Sequence, residues 1–169
     1  MKATFAVLNQ MVRDGAIENY AVAGAVGAMF YVEPFSTQDI DVLVVTPGSQ
    51  DNLIAKLPGW DYLREHGYTE IRREGIVVEG WPVQFLLVTE PLEREAYLNA
   101  ERLDFDNTPV RVALAEHLVA IMLKVGRLKD FARIQMFLSQ DAVDRETLEG
   151  IINRHGLGGK WANFRTRFL

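Results

Sequence analysis

Near the start of the chain, Phe5, Leu8, Met11 and Val12 recur at helical spacing and Asp14-Gly15 ends the run, which predicts a short amphipathic helix. Residues 20–23 then read as a short buried strand, Gly24 as a turn, and 25–31 as a compact apolar helix closed by Glu33-Pro34. The β-branched and apolar run over 39–45, stopped by Pro47-Gly48, is the clearest strand in the chain. A helix over about 50–65, interrupted or ended near Pro58-Gly59, is expected next. Strands at 76–78 and 83–88 flank Glu79-Gly80-Trp81-Pro82 and read as a hairpin. A connecting helix over 91–100 and a last short strand over 109–113 complete the mixed part of the chain. From there the period is helical throughout. Leu114, Leu118, Ile121, Met122 and Val125 share one face with Gly126 as the cap, Phe131, Ile134 and Leu138 share another, and a third helix spans about 145–154. Trp161, Phe164 and Phe168 form a terminal apolar stripe, read as a packing face with dimer contact as the alternative.

These elements define an α+β protein: a small mixed or antiparallel sheet flanked by helices, with a C-terminal helical bundle. At 169 residues the chain has the length of one domain, so a core over 1–113 and a helical segment over 114–169 are expected to form one unit. The apolar and charged shares, 49% and 24%, exclude a disordered or fibrous class. The start is too short in apolar residues for a secretory leader, and the longest uncharged apolar run, 20–32, falls short of the roughly 20 residues a bilayer requires, so a cytoplasmic protein without a membrane span is expected. A net charge of −5 repels polyanions overall and confines any nucleic-acid contact to a local basic patch. With no cysteine, only oxygen ligands and three histidines can hold a metal, and His66, His117 and His155 lack zinc-ligand spacing.

Asp39 and Asp41 are two apart on the clearest strand, so both carboxylates face one way while Ile40 and Val42 turn to the core. Like charges that close repel unless a cation joins them, which suits magnesium; a bare pair of this kind also occurs as a solvated strand start. Gly24, between a strand and a helix, is where a phosphate could approach backbone N–H groups. Together the two features describe a cradle for a nucleoside triphosphate.

The segments Gly24-Ala25-Val26-Gly27 and Thr37-Gln38-Asp39-Ile40-Asp41-Val42-Leu43 resemble the signature of the nucleotidyltransferase superfamily, a glycine turn followed by D-x-D on the next strand. The spacing is most similar to a compact bacterial branch that includes the AbiEii-like toxin nucleotidyltransferases. Thr37 stands at that branch's hydroxyl position, and Lys124-Val125-Gly126-Arg127-Leu128-Lys129-Asp130 resembles its K-x-x-R-x-K-D segment. The resemblance implies that Asp39 and Asp41 bind Mg2+ in a two-metal site, or one reduced to a single ion. It also implies that Gly24, Ala25 and Thr37 hold the triphosphate, and that Lys124, Arg127 and Lys129 contact phosphate or substrate. Cations aimed at a transferring phosphoryl group stabilise its transition state, which gives that last assignment a physical basis; basic residues on a solvated helix face are the plainer reading.

The same resemblance expects a third catalytic acid where this chain has Gln84, and a neutral amide cannot act as a base. Glu79 is the nearest acid along that hairpin, in the expected turn. Phe35 and Arg133 also depart from the branch, which often has a basic residue and an aspartate there. Two functions follow. One is transfer of a nucleoside monophosphate from a triphosphate to a hydroxyl on RNA, protein or a small molecule. The other is an inactive member that binds nucleotide or a partner protein, such as a component of a toxin–antitoxin module, with an antitoxin-type partner or a homodimer as its assembly.

Overall fold

A computed structural model describes residues 1–34, 36–45 and 59–169. Its elements in chain order are α1 (Lys2–Arg13), β1 (Ala21–Val22), α2 (Gly24–Ala28), β2 (Ile40–Val44), α3 (Trp60–Glu65), β3 (Ile71–Arg72), β4 (Gly75–Val78), β5 (Trp81–Leu87), α4 (Pro91–Leu98), β6 (Glu101–Phe105), β7 (Thr108–Val112), α5 (Ala115–Val125), α6 (Leu128–Ser139), α7 (Arg145–Arg154) and α8 (Gly158–Phe168). The strands form one mixed sheet ordered β3-β4-β5-β2-β1-β7-β6. The expected α+β class is the observed one. Two edge elements, β3 and β6, were not among the expected strands, and the β4–β5 turn is the two-residue Glu79-Gly80, both at positive φ, rather than the four residues 79–82. Phe35 and most of the helix expected over 50–65 lie outside the described residues.

Alternation along β2 and β5 divides the core between the two faces of the sheet. Ile40, Val42 and Val44 of β2 and Val83 and Phe85 of β5 join Phe5, Leu8 and Met11 of α1 on one face. Leu43 turns the other way, into a cluster with Leu118 and Leu123 of α5, Phe137 of α6 and Ile151 of α7. Asp41 and Gln84 belong to this second, helical face, and they are register partners on parallel strands. The aromatic stripe of α8 closes this layer: Trp161 stacks on Phe164, Phe164 meets Phe168 at a tilt, and Phe131 of α6 meets Phe164 and Phe168. No helix among the described residues is long and apolar enough to cross a membrane.

Candidate functional site

The backbone between β1 and α2 places Gly24 directly against Asp41. The Ala23 N–H donates to the Asp41 carbonyl oxygen at 2.8 Å, and Gly24 then turns with φ +57°. A Cβ built on Gly24 would fall on the Asp41 carboxylate, so both the backbone conformation and the space demand glycine here. This gives Gly24 a reason that the sequence did not show: it makes room for an acid.

Thr37 sits just ahead of the strand, and its hydroxyl donates to Asp39, to the carbonyl oxygen at 3.2 Å and to Oδ1 at 3.4 Å. Asp39, Asp41, Gln84, Thr37 and Ala25 all border one polar cavity of about 310 Å³, whose remaining wall carries Arg73, Arg127, Lys129 and Arg133. An adjoining cavity of about 370 Å³ shares Asp41, Gln84, Arg127 and Arg133 but is lined elsewhere mainly by apolar side chains such as Leu43, Leu86, Ile121 and Met122, with Glu90 and Glu93 also on its wall. The cleft therefore has a polar lobe and an apolar lobe that meet at the Asp41–Gln84 pair.

Burial pushes the Asp41 pKa up, and the charge of Asp39 pushes it further, while Arg127, Lys129 and Arg133 pull it back. Arg127 is in turn anchored by Asp130, whose fully buried carboxylate accepts from Arg127 Nε at 2.7 Å and lies 3.6 Å from Arg133 Nη1. Asp130 also closes the N-terminus of α6 by accepting from the Arg127 N–H. One buried acid thus holds two guanidinium groups, one at the start and one in the middle of α6, on the wall of the cavity that Asp39 and Asp41 border.

Of the residues singled out from the sequence, the structure brings together Gly24, Ala25, Thr37, Asp39, Asp41, Gln84, Arg127 and Lys129. Lys124 lines neither cavity, although its partner Glu93 borders the second. That ammonium is held by both carboxylate oxygens of Glu93, at 2.8 and 3.0 Å, at the end of α5. Arg133, read from the sequence as a change in charge balance, lines both lobes. Glu79 lies at the β4–β5 turn and accepts a hydrogen bond from the Tyr68 hydroxyl, whereas the acid that meets Gln84 is Glu74. No sequence signal marks Glu74, because β3 is two exposed residues long and gives no pattern from which the β3–β4 turn could be read, although β4 itself is apolar.

Two carboxylates bordering one cavity, with an amide beside Asp41, are a donor set of hard oxygens that fits a magnesium-type cation. Among the described residues no group of three or more histidines and acids is spaced to hold a metal.

No protein-family model matches this sequence, and no curated protein matches it. Among solved structures, the chain is similar to an antigenic nucleotidyltransferase-like protein from Paracoccidioides brasiliensis, with a TM-score of 0.54 and 16% identity over 82% of this chain and 74% of that one. The fold is nucleotidyltransferase-like. Within that fold, the glycine turn, Asp39 just ahead of β2, Asp41 on β2 and Gln84 on β5 are contiguous.

Proposed function

We propose that this protein binds a nucleoside triphosphate with Mg2+ at Asp39 and Asp41 and transfers a nucleoside monophosphate to a hydroxyl acceptor, in the manner of the AbiEii-like branch. The observation that carries this reading is the convergence of Asp39 and Asp41 with Arg127, Lys129 and Arg133 on one polar cavity in a nucleotidyltransferase-like fold. Thr37 holds Asp39 in place, and Gly24 leaves the Asp41 carboxylate its space. The cations face the phosphate chain, where they stabilise the charge that develops as the acceptor oxygen bonds to the α-phosphorus and pyrophosphate departs. The hydroxyl proton leaves to a carboxylate of the pair or to solvent. Magnesium, when bound, supplies Lewis-acid neutralisation of the phosphate oxygens. The apolar lobe, walled by Leu43, Leu86, Ile121 and Met122, takes the less polar part of nucleotide or acceptor.

A second reading is favoured by one residue. Gln84 stands beside Asp41 without a charge, which fits an inactive member that binds nucleotide or a protein partner, as in a toxin–antitoxin pair. Incubation with α-labelled and γ-labelled triphosphates and Mg2+, with RNA, protein and small-molecule acceptors, separates the two. Transfer of the α-label alone, lost in Asp39→Asn, is the expected result; transfer of neither label while the nucleotide still binds selects the inactive reading.

A further inference from the structure

The β3–β4 hairpin turns through Arg73-Glu74, with φ +53° and +65°. Two-residue turns with positive φ at both positions favour Asn-Gly, because a Cβ is unfavourable in left-handed backbone. Here both positions carry long charged side chains, both residues are exposed, and neither belongs to the core. The β6–β7 turn at Asp106-Asn107 has the same backbone, but Arg and Glu are not among the residues that favour it. Both residues are directed at the cleft: Arg73 borders the polar lobe with Asp39, Asp41 and Gln84, and the Glu74 carboxylate accepts a hydrogen bond from Gln84 Nε2 at 3.3 Å. Gly75 brings the hairpin close enough for this contact. A Cβ there would stand 2.8 Å from the backbone carbonyl of Val83, so only glycine lets β4 lie against β5 just before Gln84.

An amide has one donating and one accepting end, and a carboxylate only accepts. With Nε2 given to Glu74, the Oε1 of Gln84 is left as its accepting end, and Asp41 is the register partner on β2, which flanks β5 on the side opposite β4. Resting on the reading above, we propose that Gln84 and Glu74 together stand in for the third acid. Gln84 offers its carbonyl oxygen to the cation held by Asp39 and Asp41, and Glu74 is the positioning residue that fixes the amide. Amide carbonyls are ordinary ligands for hard cations, and a carboxylate hydrogen-bonded behind a ligand both orients it and increases its basicity. The neutral Gln84 would then be a ligand rather than a defect.

The test is Mn2+ binding to the full chain without nucleotide, read by loss of the free-ion paramagnetic resonance signal, a readout independent of turnover. Glu74→Ala, which removes the acceptor, is expected to weaken Mn2+ about tenfold or more, and Gln84→Ala to weaken it comparably. Gln84→Asp is expected to bind at least as tightly as wild type and to keep that affinity when Glu74→Ala is added. Wild-type-like affinity in Glu74→Ala overturns the inference, and so does an equal loss in the Gln84→Asp background, which would mark a merely structural effect of the hairpin. Absence of Mn2+ binding by the wild type, or binding that survives loss of both Asp39 and Asp41, overturns the underlying metal-site reading and the inference with it.

Discussion

At the scale of single residues, the site is a concentration of like charge held in check by its neighbours. Asp41 is raised in pKa by burial and by Asp39, so in the metal-free protein its ionised form opposes folding. The sign follows directly: a carboxyl whose folded pKa lies above its unfolded value favours folding while protonated and loses that benefit as pH rises through the folded value. Asp41→Asn is therefore expected to raise the unfolding temperature at neutral pH without divalent metal, with the gain shrinking as the pH falls and Asp41 protonates. Thermal unfolding by circular dichroism across pH checks this. A lower melting temperature at neutral pH in the metal-free variant would contradict it. The D-x-D spacing and the glycine turn were legible in the sequence because they depend on period-two geometry and backbone freedom. The close contact of Gly24 with Asp41 and the meeting of Glu74 with Gln84 were not, since both depend on how separate strands come together.

At the scale of elements, the helical layer is joined by an ion cluster that sequence distance conceals. Glu95 of α4 accepts from His155 Nε2 at 2.6 Å, from Arg154 at the end of α7, and pairs with the buried His117 of α5 at 3.2 Å. The hydrogen bond from Arg154, with those from both histidines, pulls the Glu95 pKa from 4.5 down to about 2. A depressed carboxyl pKa stabilises the fold above 4.5, and that contribution is lost as pH falls toward 2. Glu95→Gln is expected to be less stable than wild type at neutral pH and to show a flatter decline below pH 4.5, measured by urea unfolding at a series of pH values. Parallel acid limbs in the two proteins would refute this role. The histidines looked unrelated in the sequence because α4, α5 and α7 meet only in the folded layer. The missed strands have a related explanation. β6 (Glu101–Phe105) is an edge strand in which three charged, exposed residues leave only Leu103 and Phe105 half-buried, and β3 is two exposed residues, so neither carries the apolar run that made β2 readable.

At the scale of the whole molecule, sheet order turns a scattered set of residues into one cleft. β2 lies between β1 and β5, which puts the glycine turn on one side of Asp41 and Gln84 on the other, while α5 and α6 bring Arg127, Lys129 and Arg133 over the same face. The helical period of the C-terminal third was evident from the sequence; that its first turn-and-helix would cover Asp39 and Asp41 followed only from the resemblance, and Lys124, part of the same segment, is drawn off to Glu93. The central claim is that this cleft holds a triphosphate through a cation on Asp39 and Asp41. Its most direct test is calorimetric titration of ATP, GTP, CTP and UTP, with and without Mg2+, into the wild type and into the Asp39→Asn, Asp41→Asn double variant. The account predicts binding of at least one triphosphate that requires both Mg2+ and the two aspartates; no binding of any triphosphate, or binding unchanged in the double variant, would contradict it.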